Sequence, residues 1–189
     1  MLKFLAHRWL RAFSIRHQYD TTYMEELLDH DLAAFLKFST LNLLSSHRRG
    51  IPVAPWYAAR IRATMWEDCG PCVKLVCNMA LEAEVDPAVV SAVVTADLAA
   101  LADDIALVVQ FTELVLAHDP AADVLRNQVR QRWGADGLMS LATAISTTRV
   151  YPSVKYVLGH GHACNRVQIA RDSFAPGEFR CATLPGTTA

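Results

Sequence analysis

The stretch Trp66-Glu67-Asp68-Cys69-Gly70-Pro71-Cys72-Val73-Lys74-Leu75-Val76-Cys77 constrains this chain more than any other, because it joins three of its five cysteines to a proline. Pro71 has no backbone N–H and a fixed φ, so within a helix it is tolerated only in the first turn. The apolar continuation predicts a helix from the motif to about Ala83, with Asp68 as its N-cap. Cys69 and Cys72 are then three residues apart on one helix face. The residues before the motif also read as helix, from Pro55 to about Met65.

The rest of the chain carries the same punctuation. A first helix spans about Leu2 to Ile15. Thr22 and Glu25 have the spacing of a capping box. The helix they open, with Leu27, Leu28, Leu32, Phe35, Leu36 and Leu43 at steps of three and four, ends before Gly50. Gly50 to Pro55 is a connector. Asp86-Pro87 and Asp119-Pro120 each put a capping side chain before a first-position proline. Short helices follow Pro87, a long one covers about Leu101 to His118, and another ends near Trp133-Gly134. Asp136 precedes a helix reaching Arg149, and Pro152 is expected to kink its continuation to Leu158. No stretch alternates as a strand does, and beyond Gly159 the periodicity fades into a partly ordered tail. The expected fold is all-α, a single-domain helical bundle. It is read as an N-terminal helical extension (1–50), a core carrying C-G-P-C (51–159) and a C-terminal tail (160–189).

Composition narrows the function. With 52% hydrophobic and 20% charged residues the chain has ample material for a core. A net charge of −1 argues against nucleic acid as a partner. Mean hydropathy of +0.18 points to broad helix faces buried on each other or on another subunit. No apolar run spans a bilayer, since Val89 to Leu116 is broken by Asp97, Asp103, Asp104 and Glu113. The segment before Asp20 is basic and free of acids, as in a mitochondrial presequence or a membrane-surface helix. The preferred reading is a helix docked on the body through Leu2, Leu5, Trp9 and Phe13, with membrane contact as the alternative.

An odd cysteine count without an export signal fits a reducing, cytoplasmic setting, where a close cysteine pair is catalytic or metal-binding rather than a structural bridge. A helix N-terminus favours thiolate over thiol. One thiolate attacking a peroxide or disulfide, followed by closure with its neighbour, gives a redox cycle. Glu67 and Asp68 oppose thiolate formation by their charge, though either carboxylate can accept a proton. Cys69, Cys72 and Glu67 are therefore the candidate catalytic residues, with no cofactor or metal required. Arg48, Arg49, Arg60 and Arg62 form a positive density that is ordinarily a solvated face, and alternatively lowers a thiol pKa or holds an acidic substrate. Trp56, Tyr57 and Trp66 are core residues or the wall of an apolar pocket around the cysteines. Cys77 reads as a small buried hydrophobe. His160 and His162, with the two cysteines, form a less favoured zinc alternative.

C-G-P-C also occurs in thioredoxin, whose fold needs a strand leading into the motif; the helical context here excludes it. The chain resembles instead the alkylhydroperoxidase D / carboxymuconolactone decarboxylase family. The resemblance is carried by Cys69 and Cys72 after a helix, the continuation Val73-Lys74-Leu75-Val76, and the later segments DDIALVVQFTELVLAHDP and LRNQVRQRWGADGLMSLATAISTTRVYPSVKYVLG. It covers roughly residues 40 to 160. It implies a helical homo-oligomer that reduces hydroperoxides through the cysteine pair and is recycled by an external dithiol. The family's proton relay is not matched: Val76 stands where a His is expected and Tyr57 where a Glu is expected. Lys74, Asn78 or a His from another helix are the candidate substitutes. The alternative is a relay-less member of the same fold, acting as an oligomeric binding or redox-sensing protein with little catalysis.

Overall fold

In the computed structural model, α5 (Val53–Met65) is buried on every side. Pro55 through Thr64 are all buried, Arg60 and Arg62 included. A helix without a solvent face has to be central. The chain wraps α5 with α6 (Gly70–Glu82), α7 (Pro87–Thr95), α8 (Asp103–Leu116) and α9 (Ala122–Val157). Ile61, Val76, Val90, Val108, Val129 and Leu141 are among the side chains of this main core. The structure describes residues 1–161 and, beyond them, the backbone of 167–169 and 172–174. His162, Cys164, Cys181 and most of the expected tail lie outside the described residues.

The described residues form an all-α body of nine α-helices and one short 3-10 turn, with two three-residue strands behind it. Val167–Ile169 and Asp172–Phe174 pair antiparallel, Val167 opposite Phe174. The all-α expectation holds for the body; this pair lies in the segment read as a tail, and its strands are too short for alternation to show.

Before α5 lie α1 (Leu2–His17), α2 (Thr22–His30), α3 (Leu32–Ser39) and α4 (Leu41–Ser45). The single helix expected over Thr22 to Gly50 is thus three. Asp31 breaks it in an extended conformation, and its carboxylate accepts from the backbone N–H groups of Ala33 and Ala34. Asp prefers this capping role to a place inside a helix, and the apolar period alone does not register the break. The α2 cap is Thr21, whose hydroxyl meets Glu25, while Thr22 bonds back to Asp20. Asp86 caps α7 as expected, accepting from Ala88 N at 2.7 Å.

α1 docks through Ala6, Leu10 and Phe13. Of the four residues expected on its docked face only Phe13 is there; Leu2, Leu5 and Trp9 are about half exposed. α9 contains the break expected near Trp133-Gly134: Gly134 takes φ 68°, ψ −167°, a conformation essentially restricted to glycine. It departs from expectation at Pro152, through which the helix continues. Among the described residues no helix is long and apolar enough to cross a membrane.

Candidate functional site

A second, smaller core holds the cysteines. Leu10, Tyr19, Tyr23, Met24, Leu28 and Phe35 from the first 35 residues pack with Cys69 and Cys72. The segment read as an extension therefore supplies most of the surroundings of the motif.

After α5 the chain tightens through backbone bonds from Glu67 N to Thr64 O and Asp68 N to Met65 O. Asp68 then takes a left-handed conformation, φ 49°, which Asp tolerates better than most residues. In that conformation Asp68 is not the cap: Cys69 is the N-cap of α6, and its side chain makes no capping bond. Pro71 sits in the first turn as expected, and Cys72 is two residues inside the helix from Gly70. The Asp68 carbonyl accepts from the Tyr156 hydroxyl at 2.8 Å, tying the loop to α9.

Cys69 and Cys72 form a disulfide, their Cα atoms 5.3 Å apart. Both are buried, at 5% and 4% exposure. They differ in what they face. Cys72 lines a cavity of about 440 Å³, and Cys69 does not. Leu75, Val76 and Met79 continue the Cys72 face of α6 along this cavity at helical spacing. Tyr19, Tyr23, Phe35, Phe38 and Tyr151 give it an aromatic wall, and Arg60 and Thr64 close it from α5. Trp9 and Leu36, 51% and 42% exposed, stand at its mouth.

The Tyr19 hydroxyl donates to Cys72 Sγ at 3.5 Å, since the disulfide sulfur has no proton to give. Burial pushes the Tyr19 phenol up to about 12, so it remains a donor at neutral pH. Lys155 Nζ lies 5.2 Å from the centre of the Tyr19 ring. Lys155 is 1% exposed, and Nζ has no hydrogen-bond partner among the described residues. Burial lowers its pKa, with the Asp20 carboxylate working against that. Sulfur, phenol and ammonium thus stand in a row from α6 through Tyr19 to α9.

Glu67 lies outside this row. Its carboxylate is paired with Arg149 Nε and accepts from Ser153 Oγ at 3.3 Å, fastening the motif to α9. Neither Lys74 nor Asn78 lines the cavity. Cys77 is fully buried, and burial raises its thiol to about 12. Trp56 and Tyr57 face a neighbouring cavity of about 320 Å³, and Trp66 Nε1 donates to Glu113 at 2.7 Å. The aromatic wall of the cysteine cavity is therefore made by other residues. Those residues are 20 or more positions from the motif in sequence, where local spacing gives no signal.

The four arginines do not form a solvated face. Arg49 pairs with Asp136 at the surface, and Arg48 donates to Ile51 O at 2.9 Å. Arg62 is buried against Glu113 and donates to the carbonyls of Val93 and Val94, both at 3.1 Å. Arg60 is buried without a carboxylate partner among the described residues. His160 contacts Glu26 at 2.7 Å, and no group of three ligand-type residues comes together among the described residues. Compared with protein-family models, curated proteins and solved structures, the chain matches none of them.

Proposed function

We propose that the protein is a thiol-dependent oxidoreductase, reducing a peroxide or disulfide through Cys72 and Cys69 on an alkylhydroperoxidase D-like scaffold. The observation that carries this reading is the Cys72 sulfur, disulfide-linked to Cys69, facing an apolar cavity and accepting a hydrogen bond from Tyr19. In the reduced protein the Cys72 thiolate is favoured by the first turn of α6 and by the phenol. It attacks the terminal peroxide oxygen; the O–O bond breaks, Cys72 becomes a sulfenic acid, and the departing alkoxide takes a proton to leave as alcohol. The Cys69 thiol then displaces water from the sulfenic acid, forming the disulfide. An external dithiol attacks that disulfide and leaves as its own disulfide, restoring both thiols. Val76 on the cavity wall cannot relay protons, so Tyr19 takes over the support of the thiolate. Glu67, engaged by Arg149 and Ser153, is better suited to positioning the motif than to accepting a proton.

The decisive experiment treats the reduced Cys69→Ser protein with a peroxide and a sulfenic-acid trap, followed by mass spectrometry of the peptide containing both positions. Adduct on Cys72, absent from the Cys72→Ser protein, is the expected result. Undiminished peroxide turnover in the double serine variant would exclude the proposal. A redox-sensing role with little turnover is the second reading. It is favoured by the fact that, among the described residues, neither sulfur touches a carboxylate or an imidazole. A homo-oligomer, expected from the hydropathy, finds support in exposed Leu43, Leu44, Val124 and Met139, and sedimentation measures it directly.

A further inference from the structure

Arg60 is the one charged side chain of the cavity for which the fold supplies no counter-charge among the described residues. It is 7% exposed. Its guanidinium carbon lies 4.6 Å from the centre of the Trp56 ring and 5.4 Å from that of Tyr57, so aromatic faces support it. Nε donates to Thr148 Oγ1 at 3.4 Å, a long bond. The bond to Thr148 is the one the guanidinium makes among the described residues, and Arg60 lines both the 440 Å³ and the 320 Å³ cavity, so its two terminal nitrogens are open to that space. Burying a cation without a paired anion is costly, and burial does lower the Arg60 pKa against the opposing influence of Tyr57 and Tyr151. The buried neighbour Arg62 shows the ordinary solution, with Glu113 and two carbonyls around it. At Arg60 the corresponding anion is missing from the protein itself.

The cavity beside Arg60 has an apolar wall that includes Leu75, Val76, Met79, Phe35 and Phe38, and its size is in the usual range for a small-molecule site. An inorganic anion matches the guanidinium and wastes the apolar lining. A hydrocarbon matches the lining and leaves the guanidinium unpaired. We propose that the cavity binds an amphipathic aliphatic carboxylic acid, its carboxylate on the free nitrogens of Arg60 and its chain along the apolar wall toward Cys72. A planar carboxylate can accept two parallel N–H bonds from a guanidinium, a geometry that a hydroxyl does not reproduce. Where the thiol chemistry proposed above holds, the substrate class is the hydroperoxide or disulfide of such an acid. The binding itself does not depend on that chemistry.

The test is calorimetric titration of the full-length oxidised protein, which has no free thiol at the site, with dodecanoate and, separately, with dodecanol. Dodecanoate is expected to bind at least about tenfold more tightly, in keeping with one charge-assisted pair. In Arg60→Gln that preference should vanish while dodecanol binding persists. In Leu75→Trp, which fills the cavity, both should be lost. Equal affinity of the intact protein for acid and alcohol, or binding of neither, would overturn the proposal without requiring any variant to fold. So would an Arg60→Gln protein that still binds dodecanol and keeps the preference for the acid. Peroxide turnover without acid binding would refute this inference alone, and acid binding without thiol reactivity would refute only the oxidoreductase reading.

Discussion

Replacing Tyr19 by Phe removes the hydroxyl on Cys72 Sγ and leaves the ring that packs between Phe13 and Tyr23. Cys77, five residues along the same helix, shows what burial alone does to a thiol here, raising it from 9.0 to about 12. That shift is worth about 4 kcal/mol against the thiolate. Cys72 is also buried, so its thiolate carries a desolvation cost of the same kind, lessened where the sulfur faces the cavity. The first turn of α6 offsets ~0.3–2 kcal/mol of it, and a hydrogen bond to a charged acceptor offsets ~1.5–3 kcal/mol. The phenol is thus the larger of the two compensating effects. Its loss should slow alkylation of Cys72 near neutral pH about tenfold and move the half-point of the pH–rate profile up by about one unit, allowing for partial access of water to the vacated site. The assay is iodoacetamide alkylation against pH in the reduced Cys69→Ser background, followed by peptide mass spectrometry. The parent variant with Tyr19 intact provides the reference. An unchanged profile, in a protein whose helicity and melting temperature are preserved, would refute the role given to Tyr19.

Other expectations concern stability. The folded-state pKa values of Tyr19 and Cys77 are raised above their unfolded values, so both groups stay neutral in the folded protein where the unfolded chain ionises. Their stabilisation is complete below about pH 9 and should be lost progressively between about pH 9 and 12, a loss that urea titrations would show and that Cys77→Ala should reduce. Glu113→Ala leaves buried Arg62 with two carbonyls and the Met65 sulfur but no carboxylate, and should cost roughly 2–4 kcal/mol in denaturant unfolding. A Cβ at Gly137 would fall 2.3 Å from Trp133 Cβ, so Gly137→Ala should destabilise the protein by roughly 1–3 kcal/mol, measurable as a lower melting temperature.

Several parts of the fold are written locally. Pro71 requires a helix to begin at the motif, Asp86 ahead of Pro87 starts the next helix where expected, and Gly134 marks the break in the longest one. Such features are legible because they depend on the φ preference or hydrogen-bonding capacity of one or two residues. Where two local signals compete, the outcome is less legible. Asp31 interrupts an apolar period that is otherwise continuous through Leu27, Leu32 and Leu36, and Pro152 remains inside a helix despite lacking a donor.

The sequence by itself determines that two cysteines lie together at the start of a helix, within covalent reach of each other. It does not determine what surrounds them. Tyr19 reaches Cys72 across 53 positions, and Arg149 holds Glu67 across 82. Arg60 and Arg62 are two residues apart on one helix, yet only Arg62 finds a carboxylate. These outcomes depend on which helices pack side by side, a matter of summed burial over the whole chain rather than of spacing within one segment. Tertiary packing therefore decided which sulfur faces the cavity, which hydroxyl reaches it, and which arginine lacks a carboxylate among the described residues.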